Sequence, residues 1–147
     1  MRVPKRALTL VAVVAVVAVV AMQSGCDKNR IKCAITASEK IARVADKAPV
    51  LVEQLAAEGA LDRADAESIT ALAGDVKSSA EELGKIARAM KEDTPDNREK
   101  LRAAVQQVAA SIRRLDGEGV LKVKNEQARA RLRAALALAE VAAELAL

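Results

Sequence analysis

Apolar residues recur every three or four positions through most of this 147-residue chain. That spacing is the period of an α-helix with one buried face, so the chain is expected to be almost wholly helical. Three turn signals divide the pattern into four stretches: Gly59, a polar loop at Glu92–Asp96, and the run Asp116–Gly119. Asp62 and Thr94 are suited to cap the second and third helices. The pattern therefore predicts four helices.

The buried face of each predicted helix consists of the apolar or small residues that share this spacing. Pro49 lies inside the first stretch, where a proline removes a hydrogen bond, so a kink or break is expected near Lys47–Pro49. The last helix is expected to begin at Val120 or, alternatively, at Asn125. The expected core positions are Ile31, Ala34, Ser38, Ile41, Ala45, Ala48, Val52 and Leu55, then Ile69, Leu72, Val76, Ser79, Leu83, Ile86 and Met90, then Leu101, Val105, Val108, Ile112 and Leu115, and finally Leu132, Ala135, Leu136, Ala139 and Ala142 or Ala143.

The economical all-α fold for these elements is two αα-hairpins packed as an up-and-down bundle of four helices. Three helices with a broken first helix are the alternative. A shift of 60 residues places Leu55 on Leu115 and Leu61 on Leu121, which reflects either an internal duplication or helical periodicity alone. The last helix is apolar almost all round beyond Ala134, which suggests a central position, an oligomer contact or a bilayer surface.

The first 26 residues follow a different pattern from the rest. Met1–Arg6 is basic, Ala7–Met22 carries no charge, and small residues then lead to Cys26. This order is typical of a secretory signal. As a helix the apolar run would span about 24 Å, short of the ~30 Å hydrocarbon core of a bilayer, although an uncleaved membrane anchor remains an alternative.

Ser24-Gly25-Cys26 resembles the end of a bacterial lipoprotein signal, in which small residues precede an invariant cysteine; Gln23 stands where leucine is usual. The resemblance implies that the Cys26 thiol receives a diacylglycerol and that the chain is cut before it. Fatty acids such as palmitate would then hold the protein on an envelope membrane. Asp27 implies retention in the inner membrane. Ordinary secretion with an unmodified Cys26 is the alternative. The resulting division is a signal peptide at 1–25, a tether at 26–30 and a helical bundle at 31–147.

Composition narrows the range of functions. Three of the 24 basic residues lie in the leader, which leaves 21 in the body against 20 acidic residues, so the net charge of +4 is mostly a property of the signal. The chain has no Phe, Tyr, Trp or His. It therefore lacks a stacking platform for bases, the commonest metal ligand and the commonest general base. We expect no enzymatic activity, catalytic residue, metal, cofactor or nucleic-acid partner.

Two features of the body are candidates for interaction. Cys33 is a possible site of pairing with a second copy of the chain, although a small half-buried apolar role is the alternative. A basic turn cluster is a candidate contact for anionic lipid or cell-wall polymer, although it is alternatively a solvated face balanced by Asp116, Glu118 and Glu126. The basic turn cluster comprises Arg113, Arg114, Lys122, Lys124, Arg129, Arg131 and Arg133.

These features favour an envelope lipoprotein that acts as a non-enzymatic structural or protein-interaction module. Its expected partners are membrane lipid, through acylated Cys26, and another protein or a second copy of the chain. Two alternatives remain. One is a helical binder of a lipid or small hydrophobic ligand, and the other is an accessory lipoprotein of a phage or secretion system.

Overall fold

The computed structural model describes residues 29–145, and the side chains of residues 29–137 within them. This part of the chain contains four α-helices and no β-strand. A π-helical turn and a short 3-10 turn connect the last two helices. The predicted all-α fold with four helices is confirmed, and the three-helix alternative is wrong. The bounds are Arg30–Ala57 for α1, Arg63–Ala89 for α2, Pro95–Arg114 for α3, Leu115–Gly119 for the π-helical turn, Val120–Lys122 for the 3-10 turn and Glu126–Leu145 for α4.

Successive helices run antiparallel around a shared core. Arg88, near the end of α2, bonds to Glu39, near the start of α1. Arg131, near the start of α4, reaches Glu58, immediately after α1. α1 packs against α2 and α4, and α2 also packs against α3, whereas α3 and α4 touch each other less. The arrangement is the expected up-and-down bundle of two hairpins.

The helical period predicts most of the core correctly. The largest fully buried side chains include Ile41, Leu55, Ile69, Leu83 and Leu132. Each such burial contributes about 1.5–3 kcal/mol, and many smaller alanines fill the space between them. Some expected core positions are only partly buried or are exposed, while Ala139, Ala142 and Ala143 lie outside the described side chains. The partly buried ones are Ile31, Ser79, Ile86 and Met90, and the exposed one is Ala135.

At the start of every described α-helix, the side chain of the N-cap residue accepts a hydrogen bond from a backbone N–H. The acceptor is Asn29 in α1, at 3.0 Å, and Asp62 in α2, at 2.8 Å. It is Thr94 in α3, at 3.2 Å, and Asn125 before α4, at 3.0 Å. These bonds satisfy amide groups that have no partner inside the helix. The caps at Asp62 and Thr94 and the later start of the last helix at Asn125 are thus confirmed, and the start at Val120 is wrong.

Gly59 ends α1 in the conformation that glycine favours, with φ at +73°. Its N–H donates to the carbonyl of Ala56, and the N–H of Ala60 donates to the carbonyl of Leu55. This pair of bonds is a Schellman motif, which satisfies the last carbonyls of the helix. The first hairpin therefore closes through a turn that needs a left-handed residue.

Pro49 does not interrupt α1, which continues as helix from Arg30 to Ala57. Of the kink or break predicted there, the break is wrong. Proline removes one helical N–H donor. Ala48 and Val52 on either side are nonetheless buried in the core, and this packing holds the helix together across the gap.

The two hairpins match in their buried stripes but not in their turns. Leu55 and Leu115 are both fully buried, as the 60-residue shift requires. Leu61, however, is buried, whereas Leu121 is 47% exposed. The second hairpin turns through the π-helical and 3-10 turns rather than through a Schellman motif. Helical periodicity accounts for the first match, and the internal duplication stays a prediction.

Candidate functional site

The buried polar side chains of the described residues make hydrogen bonds within the fold. The buried Ser38 hydroxyl donates to the carbonyl of Ile35 at 2.7 Å. The hydroxyls of Ser79 and Ser111 lie 2.8 Å apart and join α2 to α3. Among residues 29–137, every buried side-chain nitrogen or oxygen has a hydrogen-bond partner. No group of His, Cys, Asp or Glu in the described part of the chain is arranged to hold a metal.

Charged pairs shift the pKa of Asp93, in the loop between α2 and α3, and the pKa of Lys77, in the middle of α2. Asp93 accepts two bonds from the Arg98 guanidinium, at 2.8 and 3.2 Å. These bonds lower the pKa of the Asp93 carboxyl, and the nearby charge of Arg30 acts in the same direction. A bond to the Asp46 carboxylate similarly raises the pKa of Lys77. The bond between Arg88, near the end of α2, and Glu39, near the start of α1, places the loop between α2 and α3 at the end of the bundle where α1 begins.

In sequence, the predicted lipidation site Cys26 precedes the start of α1 and the second cysteine, Cys33, follows it. Cys26 is outside the described residues, three positions before Asn29. Because an extended chain covers at most about 3.6 Å per residue, Cys26 is within about 11 Å of Asn29. Cys33 lies in the first turns of α1 and is partly buried. The helix begins at Arg30, one residue earlier than the predicted domain boundary.

Ion pairs within the fold occupy much of the basic turn cluster. Arg131 pairs with Glu58 at 3.0 Å, and Arg133 pairs with Asp116 at 3.3 Å. Arg129 instead donates to the carbonyl of Val123 at 3.2 Å. These contacts attach α4 to the end of α1 and to the turn before it.

Arg114 also pairs inside the bundle, with Glu118 at 3.6 Å and with Asp75 at 4.0 Å. The remaining members, Arg113, Lys122 and Lys124, are exposed. Asp116 and Glu118, two of the three acids expected to balance this cluster, pair with Arg133 and Arg114. Arg113, Lys122 and Lys124 have no ion-pair partner within the described residues, so part of the charge of the cluster remains available to an external anion.

The basic turn cluster lies at the end of the bundle opposite to the start of α1. Antiparallel packing places the α3–α4 turn beside the end of α1, as the Arg131–Glu58 pair requires. α1 has 28 residues. At 1.5 Å per residue it is about 42 Å long. The start of α1 and the basic turn cluster are thus separated by roughly the length of the bundle.

A second basic group, which the sequence pattern did not indicate, lies near the start of α1. We call Arg30, Lys32, Lys91 and Lys100 the amino-end basic group. Within the described residues none of the four forms an ion pair. Lys91 and Lys100 are about 60 to 70 residues away from Arg30 and Lys32 in sequence. The two pairs share one end of the bundle only because α2 ends and α3 begins there. Hairpin topology, rather than sequence spacing, was the signal that would have found them.

Besides a groove of about 440 Å³ along α3, which is lined by residues such as Arg98 and Arg102, two grooves with a mostly apolar lining open on the surface of the described residues. One, of about 200 Å³, lies between α1 and α4 and is lined mainly by apolar side chains such as Val44, Leu51 and Leu136. It is smaller than the 300–1,000 Å³ of typical ligand pockets. The other, of about 540 Å³, lies where α2 ends and α3 begins. We call the second one the amino-end groove; it is lined by Ile86, Ala89, Met90, Lys91, Glu92, Thr94, Asn97 and Lys100.

Comparison with protein-family models, with curated proteins and with solved structures finds no match to this chain. None of the helices that the structure describes combines the length and the apolar character needed to cross a membrane.

Proposed function

We propose that this chain is an envelope lipoprotein whose helical bundle is a non-enzymatic interaction module. Acylated Cys26 holds the bundle against the inner membrane, where Asp27 retains it. The bundle stands end-on to the bilayer, and its far end presents a surface to another envelope component. Two acyl chains on a cysteine are sufficient for a stable anchor, whereas a single chain binds marginally.

The observation that carries this proposal is the distance between the anchor and the fold. α1 begins at Arg30, and the Asn29 side chain already caps it. Only Asp27 and Lys28 separate Cys26 from this cap. A lipid on Cys26 would therefore hold a folded bundle close to the membrane rather than at the end of a long flexible arm.

The far end of the bundle supports an interaction role for two reasons. It lies about 42 Å from the start of α1, given the helical rise per residue. Leu121 is 47% exposed in the turn there, next to the exposed Lys122 and Lys124. An apolar side chain beside unpaired charges is a common composition for the edge of a protein contact.

Metabolic labelling with a fatty-acid analogue tests the anchor. The wild-type chain is expected to carry the label, and Cys26→Ala is expected to lose it. Cys33→Ala is the matched control, because it removes the other cysteine and should remain labelled. An unlabelled wild-type protein, or equal labelling of the Cys26→Ala variant, would overturn the proposed function.

A further inference from the structure

We propose that the amino-end groove rests on the headgroups of anionic phospholipids in the membrane that carries the anchor. This inference depends on the proposed function, because acylated Cys26 brings the groove to the bilayer. This end of the bundle would then contact the membrane in two places, through the acyl chains and through the groove. Two contacts would fix the orientation of the bundle on the bilayer.

Position is the first argument. Cys26 lies within about 11 Å of Asn29, as its three intervening peptide links require. The Arg88–Glu39 bond, at 3.0 Å, shows that α2 ends beside the start of α1, so the α2–α3 loop lies at the same end of the bundle as Arg30. The groove begins in that same loop, at Lys91, Glu92 and Thr94. An anchor at Cys26 consequently places the groove, and not the basic turn cluster, near the lipid surface.

The chemistry of the groove is the second argument. Ile86, Ala89 and Met90 supply apolar lining, and Ile86 and Met90 are only partly covered by the core. Lys91 and Lys100 supply ammonium groups at the rim and have no ion-pair partner within residues 29–145. Apolar surface next to ammonium groups is complementary to the boundary between acyl chains and phosphate headgroups.

The acidic residues at this end limit the contact to the rim lysines. The carboxylate of Asp93 forms an ion pair with Arg98. Glu92 lines the groove, and Asp96 lies in the first turn of α3, where the helix dipole favours a negative charge. Lys91 and Lys100 at the groove, with Arg30 and Lys32 at the same end of the bundle, are therefore the groups that would meet lipid phosphate.

Acetylation of lysines on the membrane-bound protein tests this orientation. The full mature protein, purified from cells, is reconstituted into vesicles of phosphatidylglycerol and phosphatidylcholine, or of phosphatidylcholine alone. After brief reaction with an amine-acetylating reagent, mass spectrometry gives the rate at each lysine. Lys32, Lys91 and Lys100 are expected to react several-fold more slowly on the anionic vesicles, and added salt should reduce this protection. Lys122 and Lys124 should react equally on both.

Paired variants separate a lipid contact from a general effect of the fold. In K91Q/K100Q, the protection of Lys32 on anionic vesicles should be lost, whereas in the matched control K122Q/K124Q it should remain. An acylated protein whose lysines react equally at both ends, or whose protection falls at Lys122 and Lys124, would overturn the groove contact alone. An N-terminal peptide without acyl chains in the same mass spectra would overturn the proposed function and this inference together. Protection that appears only when a second protein is added would also reject lipid as the occupant.

Discussion

Gly84 lies so close to Ser38 that a methyl group at position 84 would stand 2.8 Å from the Ser38 hydroxyl oxygen. Real side-chain carbons do not approach so closely. The Ser38 hydroxyl is held by its bond to the Ile35 carbonyl at 2.7 Å, so it cannot easily turn away. Arg88, whose Nη1 would be 2.9 Å from the same methyl group, is flexible and can move. The close contact between α1 and α2 therefore requires a residue without a side chain at position 84.

Gly84→Ala is expected to destabilise the bundle by about 1–3 kcal/mol, the usual cost of overpacking a core. Gly74→Ala is the matched control on the same helix, because a methyl group there would meet nothing within 4 Å. It should stabilise α2 by about 0.5–1 kcal/mol, since alanine is the better helix former. Urea unfolding of both variants measures these changes.

The double variant S38A/G84A tests the cause of that destabilisation. Without the hydroxyl, the nearest atom of residue 38 to the new methyl group is its Cβ, at 3.5 Å, an ordinary contact. Much of the loss in G84A should then be recovered, with a coupling energy of about 0.5–3 kcal/mol between the two sites. Effects of the single substitutions that simply add would show that Ser38 is not the obstacle.

Gly119 makes a comparable contact at the other hairpin, in the π-helical turn after α3. A methyl group at this position would lie 3.2 Å from Ile69 and 3.2 Å from Leu72, both of which are buried. Gly119→Ala is expected to lower the unfolding free energy by about 1 kcal/mol or more, because the packed side chains of α2 have little space to move. Gly117→Ala, which meets nothing within 4 Å, should change it much less. Equal effects at the two positions in thermal unfolding would contradict this account.

The fold was predictable where it depends on local pattern. The positions of Ile41, Leu55 and Leu83 follow from a period of three and four residues, and they are buried as expected. The caps at Asp62 and Thr94 are also local, since each side chain bonds an amide three residues later. Elements that are held by their own neighbours can be predicted from neighbouring residues.

The candidate interaction surfaces were not predictable in the same way. The basic turn cluster is a set of sequence neighbours, but carboxylates from distant parts of the chain, such as Glu58 and Asp75, pair with some of its members. Lys91 and Lys100 are brought to the start of α1 only by antiparallel packing of the hairpins. The continuity of α1 through Pro49 likewise depends on burial, which a local rule for proline does not include. Contacts between helices decided each of these cases.

The Asp93–Arg98 pair predicts how the loop between α2 and α3 responds to acid. The bonds from Arg98 hold the pKa of Asp93 below its ordinary value of 3.8, so the folded protein binds this proton less readily than the unfolded chain. The stabilisation is therefore complete above about pH 3.8 and is lost as the pH falls through the lower folded-state pKa. Wild type should be slightly more stable than Asp93→Asn at neutral pH, and this margin should disappear in acid. The exposed position keeps the margin small and makes it fall with added salt.

Urea unfolding of wild type and Asp93→Asn across this pH range measures the margin. Arg98→Gln provides the control, because without the guanidinium the Asp93→Asn substitution should have little dependence on pH. The same set of unfolding measurements also reports on the start of α1, because the charge of Arg30 contributes to the low pKa of Asp93. Arg30→Gln should move the loss of the margin to slightly higher pH without abolishing it. A margin that stays constant into acid, or that survives in the Arg98→Gln background, would show that Asp93 stabilises the loop by some other contact.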